Sequence, residues 1–135
     1  MTFSLGKTSR QKLDGVHPDL VSVVEKAIKI SEVDFTILEG LRTKERQAKL
    51  FAAKKSKTMN SRHITGHAVD LAPWPLNGDF DEDGILNIED WDEYYPIADA
   101  MKQAADDLGV AIVWGGDWKS FPDGPHYELD RKVYP

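Results

Sequence analysis

The sequence predicts a single α+β domain in which helices flank a small, mainly antiparallel sheet. The chain has 135 residues, enough for one hydrophobic core and too few for two. Segments with helical and strand periodicity follow one another in the order αβα–β–αββ, which indicates an α+β arrangement. Cysteine is absent, so a disulfide scaffold and a thiolate metal site are both excluded.

The first half of the chain carries a helix, a short strand and a second helix. Apolar side chains recur on one helical face of residues 18–30, and Pro18 suits the first turn of a helix. Residues 34–40 have the composition of a short strand. Residues 43–55 return to a helical pattern, for which Thr43 is the predicted N-cap.

The second half of the chain supplies the rest of the sheet. Its predicted elements are a polar loop, a strand, an amphipathic helix and two strands, at residues 56–66, 67–72, 90–108, 110–114 and 126–129. Gly109 ends the helix, because glycine favours the left-handed conformation that follows a helix C-terminus. No internal repeat interrupts this order, so residues 1–135 are predicted to form one domain.

Composition and charge exclude several classes of protein. The net charge of −6 argues against a general nucleic-acid binder. No stretch approaches the roughly 18 apolar residues that a membrane span needs, so membrane insertion is not expected. Residues 1–15 lack the basic start and apolar core of a signal peptide. We therefore expect a protein made in the cytoplasm, which reaches a target outside the membrane only if something else releases it.

Residues 61–73, SRHITGHAVDLAP, indicate one half of a metal site. Alternation along a strand turns Asp70 toward a cleft while its apolar neighbours enter the core, and His63 comes from the preceding loop. A helical pair of His63 and His67 is a rival arrangement, but Gly66 and two β-branched residues disfavour a helix there. Taken alone, the stretch is also compatible with a polar strand end whose histidines are only hydrogen-bonded.

The segment FPDGPHYELD supplies the other half. His126 opens the last strand, and a Gly-Pro pair bends the chain so that Asp123 can turn back toward the same point. His63, Asp70 and His126 would be three protein ligands with an open position left for water, which is the pattern of catalytic zinc. Asp123 is then the natural base to take a proton from that water.

With these motifs in place, the sequence resembles a known family. SRHITGHAVDL and WGGDWKSFPDGPHYEL are similar to motifs of the zinc-dependent peptidoglycan peptidases of the LAS type, and GLRTKERQ matches a further motif. The resemblance spans residues 35–130. The family includes D-alanyl-D-alanine carboxypeptidases, vancomycin-resistance dipeptidases and the L-alanyl-D-glutamate endopeptidases of phage endolysins, and Hedgehog signalling domains resemble it in fold. The positions that match its motifs are Arg42, Gln47, Ser61, His63, Asp70, Asp123 and His126.

The resemblance implies a role for each matching position. His63, Asp70 and His126 would bind zinc, and Asp123 would be the catalytic base. Arg42 would stabilise the oxyanion or clamp a substrate carboxylate, since its planar fork suits either task. Without the motif, Arg42 would be a strand-end arginine paired on the surface. The remaining polar residues would contact the substrate, namely Ser61 and Gln47.

The acid in the last motif points to one branch of the family. The family often has Glu at this place, whereas Asp123 is similar to the L-alanyl-D-glutamate endopeptidases. The resemblance therefore implies a monomeric peptidase that binds peptidoglycan and acts as an endolysin in host lysis. A D-alanyl-D-alanine carboxypeptidase or dipeptidase of the same type is the alternative. A non-catalytic zinc-containing wall-binding module is another, but it would need neither Asp123 nor Arg42. A calcium-dependent wall-anchoring domain is a further alternative.

Residues 79–90, DFDEDGILNIED, follow the pattern of an EF-hand calcium loop. Acids at loop positions 1, 3, 5 and 12 and glycine at position 6 suit an ion that takes about 6–8 oxygen ligands. The closing acid is Asp rather than the usual Glu, as in the dockerin variant, and no entering helix is predicted. An acidic surface turn is the alternative. The predicted calcium ligands are Asp79, Asp81, Asp83, the carbonyl of Ile85, and Asp90.

Overall fold

A small antiparallel sheet forms the centre of the computed structural model, which describes residues 2–76, 78–88 and 90–135. Within these residues its strands are β1 (Phe35–Glu39), β2 (Ala68–Pro73), β3 (Ile112–Trp114) and β4 (His126–Leu129). They lie in the spatial order β1–β2–β4–β3, so β4 pairs with both β2 and β3. Each predicted strand is present, with its ends shifted by at most two residues.

Four α-helices surround the sheet in the described part of the chain. They are α1 (Lys7–Lys12), α2 (Pro18–Ile30), α3 (Lys44–Ala52) and α4 (Tyr94–Leu108), and a 3-10 turn spans Gly115–Asp117. None of these helices is long and apolar enough to cross a membrane. The sequence does not predict α1, because its six residues are all polar and show no apolar periodicity. Ser9 anchors α1 to β1 through hydrogen bonds to Thr36 Oγ1 and from Ile37 N, each 3.0 Å long.

The last helix begins at Tyr94. The sequence pattern predicts a start at residue 90, and that prediction is wrong by four residues. Asp90 Oδ1 accepts a hydrogen bond of 2.9 Å from Asp92 N, and Tyr94 N donates one of 3.0 Å to Trp91 O. These turn contacts precede the helix. Starting at Tyr94 places Pro96 in the first turn, where the missing proline N–H is not needed for a helical hydrogen bond.

The two faces of the sheet have different environments. Val69 and Leu71 of β2 and Tyr127 and Leu129 of β4 are fully buried in the core that α2 and α4 complete. Strand alternation turns the intervening residues of both strands to the opposite face, where a cleft opens. Asp70 is among these residues, as predicted. The core therefore fixes which side chains the two central strands present to the cleft.

A tight turn before β2 holds the segment that carries His63. Gly66 has a φ of 76°, which glycine adopts without strain, and its carbonyl accepts a hydrogen bond of 2.7 Å from His17 N. The carbonyl of His63 accepts a hydrogen bond of 3.0 Å from Arg42 N. These backbone contacts join the turn to the segments that precede α2 and α3. The position of His63 is thus set from both sides.

Candidate active site

Three side chains that the sequence singled out meet on the cleft face of the sheet. Asp70 and His126 are direct partners across the β2–β4 ladder, and His63 approaches from the turn before β2. Asp70 Oδ1 lies 3.2 Å from His63 Nε2 and 3.2 Å from His126 Nδ1. One candidate ligand atom from each residue lies within 4.8 Å of the other two. The rival pairing of His63 with His67 is not formed, since His67 Nδ1 lies 2.8 Å from Thr65 Oγ1.

The hydrogen bonds of His63 leave one ring nitrogen free for a metal. His63 Nδ1 lies 2.9 Å from the carbonyl oxygen of Gly40, so Nδ1 carries the proton and donates it. Nε2 is buried and has no hydrogen-bond partner in the described residues, because its approach to Asp70 lacks the required geometry. A buried, unpaired nitrogen lone pair is costly unless something binds it. Two imidazole nitrogens and one carboxylate oxygen form a donor set that fits zinc.

The ring of His126 lies between two carboxylates. Its Nδ1 is 3.2 Å from Asp70 Oδ1, and its Nε2 is 2.8 Å from Glu128 Oε1. Burial opposes a charge on the ring, but the hydrogen bonds to Asp70 and Glu128 and the field of Asp70 and Asp123 raise the pKa of His126 to about 10. No role is predicted for Glu128 from the sequence. Its position two residues after His126, on the same face of a strand, is the signal that could have found it.

The two acids of the centre have opposite pKa shifts. Burial alone would raise the pKa of Asp70, but the electrostatic attraction of His63 and the hydrogen bond with His126 hold it well below its usual range. Burial and the neighbouring Asp70 carboxylate raise the pKa of Asp123 to about 6, against the opposing influence of the two histidines and Arg42. A carboxyl group with a pKa near neutrality can both take up and release a proton.

The turn that joins Asp123 to His126 is held in place from β3. The carbonyl of Gly115 accepts a hydrogen bond of 2.9 Å from Asp123 N, and Trp114 Nε1 donates one of 2.7 Å to Gly124 O. A Cβ at Gly115 would lie 3.0 Å from the Cβ of His126 and 3.1 Å from that of Asp123. The absence of a side chain at Gly115 therefore lets both residues approach the centre closely.

Arg42 is buried beside the centre, so the surface arginine considered from the sequence is not what the structure contains. The side chain is 7% exposed, and its Nε and Nη2 donate to Glu39 Oε1. Nη1 donates to Gln47 Oε1 at 2.8 Å. Nη2 also lies 3.8 Å from Asp70 Oδ2. The guanidinium charge is thus fixed next to the carboxylate at the middle of the cluster.

The two residues predicted to contact substrate occupy different environments. Gln47 is fully buried, and its Nε2 donates to Ser56 Oγ at 2.8 Å and to the carbonyl of Thr58. Its amide therefore connects Arg42 to the loop after α3. Ser61 is half-buried at the cleft wall, where its Oγ accepts a hydrogen bond of 3.2 Å from His63 N. Direct substrate contact by either residue stays a prediction.

A cleft of about 910 Å³ leads to the His63–Asp70–His126 cluster. Its rim includes Phe121, which is 67% exposed, and Trp118, whose ring centre lies 5.1 Å from that of His126. Lys57 Nζ lies 4.0 Å from the centre of the Phe121 ring. Other cationic side chains with flexible stems also line the walls, and such a surface favours an anionic ligand in the outer cleft.

The loop at residues 79–90 is organised around Asp81; within it, Glu89 lies outside the described residues. Asp81 Oδ1 accepts hydrogen bonds from Asp83 N and Ile85 N, at 2.8 and 3.0 Å, and Oδ2 pairs with Lys55 Nζ at 3.0 Å. Gly84 has a φ of 77°, as a sharp turn requires. Among the residues that the structure describes, the acids of this loop do not form a second cluster close enough to hold an ion.

An open cleft that ends on three side chains able to hold a metal ion, with an acid of raised pKa beside them, is typical of hydrolases that activate water on a metal. Comparison with known proteins gives the family. The model of the phage L-alanyl-D-glutamate peptidase family matches residues 1–135. The chain belongs to this family and is a peptidase, which confirms the resemblance seen in its motifs.

Individual relatives support this assignment over most of the chain. The L-alanyl-D-glutamate peptidase of Escherichia phage T5 is 35% identical, and the match covers 99% of this chain and 94% of that protein. The peptidoglycan L-alanyl-D-glutamate endopeptidase CwlK of Bacillus subtilis (strain 168) is 32% identical over 72% of this chain and 61% of that protein. The crystal structure of the Serratia marcescens L-Ala D-Glu endopeptidase ChiX matches with a TM-score of 0.84 and 41% identity, covering 100% of this chain and 94% of that one. The predicted fold class is confirmed by this match.

Proposed function

We propose that this peptidase hydrolyses the bond between L-alanine and D-glutamate in the stem peptides of peptidoglycan, with a zinc ion held by His63, Asp70 and His126. The observation that carries the proposal is the buried, unpaired Nε2 of His63, which faces a carboxylate and a second imidazole. The name of the matching family and the names of the relatives described above support the choice of bond.

The acid beside the cluster has the properties of a general base. Zinc bound at this centre would polarise the scissile carbonyl and lower the pKa of its water. The carboxylate of Asp123 takes a proton from the attacking water and later delivers it to the leaving nitrogen of D-glutamate. Its pKa is raised to about 6 in the metal-free protein, and a zinc ion nearby would lower it, so the group is ionised near neutral pH and free to take the proton.

The buried arginine supplies a fixed positive charge to the same reaction. Glu39 and Gln47 hold the guanidinium of Arg42 in one orientation before substrate arrives. A charge that needs no reorganisation stabilises a developing oxyanion more effectively than a mobile one. The same fork also suits a carboxylate, and the D-glutamate residue of a stem peptide carries one close to the scissile bond. Gln47 acts in this proposal by positioning Arg42.

The outer cleft suits the rest of the substrate. Stem peptides are anionic, and Lys54, Lys57 and Arg46 line the walls. Trp118 and Phe121 offer apolar surface at the rim. The hydroxyl of Ser61 lies at the wall and is available to the peptide backbone. We propose that residues 1–135 form one monomeric peptidase domain. We also propose that this domain acts on the host cell wall as an endolysin.

We also propose that the loop at residues 79–90 binds calcium through Asp79, Asp81, Asp83, the Ile85 carbonyl and Asp90. The sequence pattern and the turn at Gly84 support this assignment. Binding would require Asp81 to exchange Lys55 for the ion. The expected role is to fasten this loop, which lines one side of the cleft through residues such as Phe80 and Ile85.

A digest of purified peptidoglycan, analysed by mass spectrometry, tests the reaction and the bond together. The protein is assayed as purified, after a chelator, and after zinc is added back, with Asp123→Ala as the inactive control. New L-alanine C-termini and D-glutamate N-termini that need zinc would support the proposal. Release of terminal D-alanine would instead identify a carboxypeptidase. Intact stem peptides in every lane, with wall binding retained, would indicate a binding module.

A further inference from the structure

We propose that Glu128 is a positioning residue of the metal centre: it accepts a hydrogen bond from Nε2–H of His126 and thereby presents Nδ1 of that ring to the metal. The inference rests on the proposed function, since it requires a metal at the His63–Asp70–His126 cluster. It concerns a residue to which the resemblance assigned no role, and it assigns each nitrogen of the His126 ring a separate task.

The geometry of β4 places Glu128 for this task. His126 and Glu128 are two residues apart, so both side chains point to the cleft face. Glu128 Oε1 lies 2.8 Å from His126 Nε2, and Glu128 is only 8% exposed. Across the ladder, Asp70 pairs with His126, while the small residue Ala68 pairs with Glu128. The carboxylate of Glu128 therefore has room to lie beside the ring on the side opposite to Asp70.

The second oxygen of Glu128 has a different partner. Arg131 Nε lies 3.5 Å from Glu128 Oε2, and the Arg131 side chain is 61% exposed. A buried carboxylate is costly unless it is paired, and the hydrogen bond from His126 is the short contact that this one makes. Glu128 thus interacts with the metal centre through His126.

The other histidine of the cluster is fixed in the same way by a different group. His63 donates Nδ1–H to the carbonyl of Gly40, which leaves Nε2 facing Asp70. His126 has the opposite arrangement, with Nε2 toward Glu128 and Nδ1 toward Asp70. A ligand histidine that donates its outer N–H to an oxygen is held in one tautomer and one orientation. The cluster therefore needs an acceptor outside each ring, and Glu128 is the acceptor for His126.

The zinc affinity of variants at Glu128 tests this role without relying on activity. Glu128→Ala removes the acceptor, and we expect zinc affinity to fall about 10- to 100-fold. Glu128→Gln keeps a carbonyl oxygen that can accept from Nε2–H, so its affinity should stay within about threefold of the wild type. Arg131→Ala is the matched control, because it removes the other partner of the carboxylate and leaves the contact with His126 intact. Affinities are measured by competition with a chromophoric chelator, and metal-free melting curves identify any variant that fails to fold.

A spectrum of the wild-type protein makes the test independent of the variants. In the zinc-loaded protein, nitrogen-15 correlations of the rings should show a protonated Nε2 on His126 and a protonated Nδ1 on His63. A protonated Nδ1 on His126 would overturn the inference, as would equal zinc affinities for wild type and Glu128→Ala. Equal losses in the Ala and Gln variants would also overturn it, because the charge of Glu128 and not its acceptance of the hydrogen bond would then be responsible. A wild-type protein that binds no zinc would instead refute the proposed metal centre.

Discussion

Asp70 faces His126 across the β2–β4 ladder, with its Oδ1 atom 3.2 Å from Nδ1 of the ring. This pairing makes the candidate metal centre a consequence of sheet register. A slip of one residue would turn Asp70 into the core and Val69 or Leu71 into the cleft. The fully buried positions of Val69 and Leu71 exclude that alternative, so burial on one face fixes the site on the other.

Two substitutions should separate metal binding from catalysis. His126→Ala removes one of the three donors, so we expect loss of both zinc and activity. Asp123→Ala leaves the donors intact, and we expect zinc to remain bound while kcat falls by at least about 10²-fold. Zinc content is measured by mass spectrometry. Activity is measured as the loss of turbidity of a peptidoglycan suspension. An Asp123→Ala protein that cleaves at the wild-type rate would exclude this residue from the mechanism.

Zinc binding should release at least one proton. Since the pKa of His126 is raised to about 10 in the metal-free protein, its ring is protonated at pH 7 and must lose the Nδ1 proton before a metal can bind there. Zinc affinity should therefore rise about tenfold or more for each pH unit between pH 6 and 8. Calorimetry in buffers of different ionisation enthalpy counts the protons. An affinity that does not change over this range would mean that the ring is already neutral.

The three side chains that meet in the cleft could be predicted from the sequence, but the residues that hold them in position could not. His63, Asp70 and His126 could be found because a strand period and two motifs point to them. Glu128 could have been found from the same strand period, but a lone Glu in HYEL is also typical of a solvent-facing strand position, and only the fold shows that it is buried. The structure places the amide of Gln47 against Arg42, which the sequence does not show, and its contact with substrate stays a prediction.

The errors in secondary structure have local causes. α1 has no apolar residue within it, and what holds it is a contact of Ser9 with β1, which lies 27 residues away along the chain. The start of α4 was placed too early because the acids before it are compatible with a first helical turn. The side chain of Asp90 instead bonds the backbone of Asp92, a local alternative to helix that its short polar group allows.

Asp123→Asn should stabilise the metal-free protein while it abolishes activity. The pKa of Asp123 is raised from 3.8 to about 6 by burial and by Asp70, so the folded state holds this proton more tightly than the unfolded state does. Stability is therefore lost as pH rises from about 4 to 6, and the loss persists above that range. Asparagine avoids the loss, which predicts a gain of about 3 kcal/mol in the free energy of unfolding at pH 7.5.

Urea unfolding in the presence of EDTA measures this gain. The difference between Asp123→Asn and wild type should shrink as pH falls and vanish near pH 4. Asp117→Asn is the matched control, because Asp117 is an exposed acid of the preceding turn whose partner is Lys102. If Asp123→Asn is no more stable than wild type at pH 7.5, then burial and Asp70 do not destabilise the ionised Asp123 carboxylate.

Lys55→Ala should strengthen calcium binding. Lys55 Nζ lies 3.0 Å from Asp81 Oδ2, which is the oxygen that the proposed calcium loop needs at its third position. Removing the ammonium group removes a competitor for the ion. Titration calorimetry with calcium should therefore show a lower Kd for Lys55→Ala than for wild type, and Asp81→Asn should show a higher one. The absence of calcium binding in all of these proteins would mean that residues 79–90 are an acidic surface turn.

Arg42→Lys should reduce activity without removing the positive charge. A lysine ammonium cannot reproduce the fork that joins Glu39 and Gln47, so the charge would be retained but no longer held in one orientation. Preorganised charge is what stabilises an oxyanion, and we expect kcat/KM to fall by about 10²- to 10³-fold. For Arg42→Ala, kcat/KM should fall at least as far, and the protein should also lose about 3 kcal/mol of stability, because Glu39 and the buried amide of Gln47 lose their partner.

Lys49→Ala, which removes an exposed cation from α3, is the control and should leave both kcat/KM and stability unchanged. If Arg42→Lys instead keeps kcat and raises only KM, Arg42 acts as a clamp on a substrate carboxylate and not on the oxyanion.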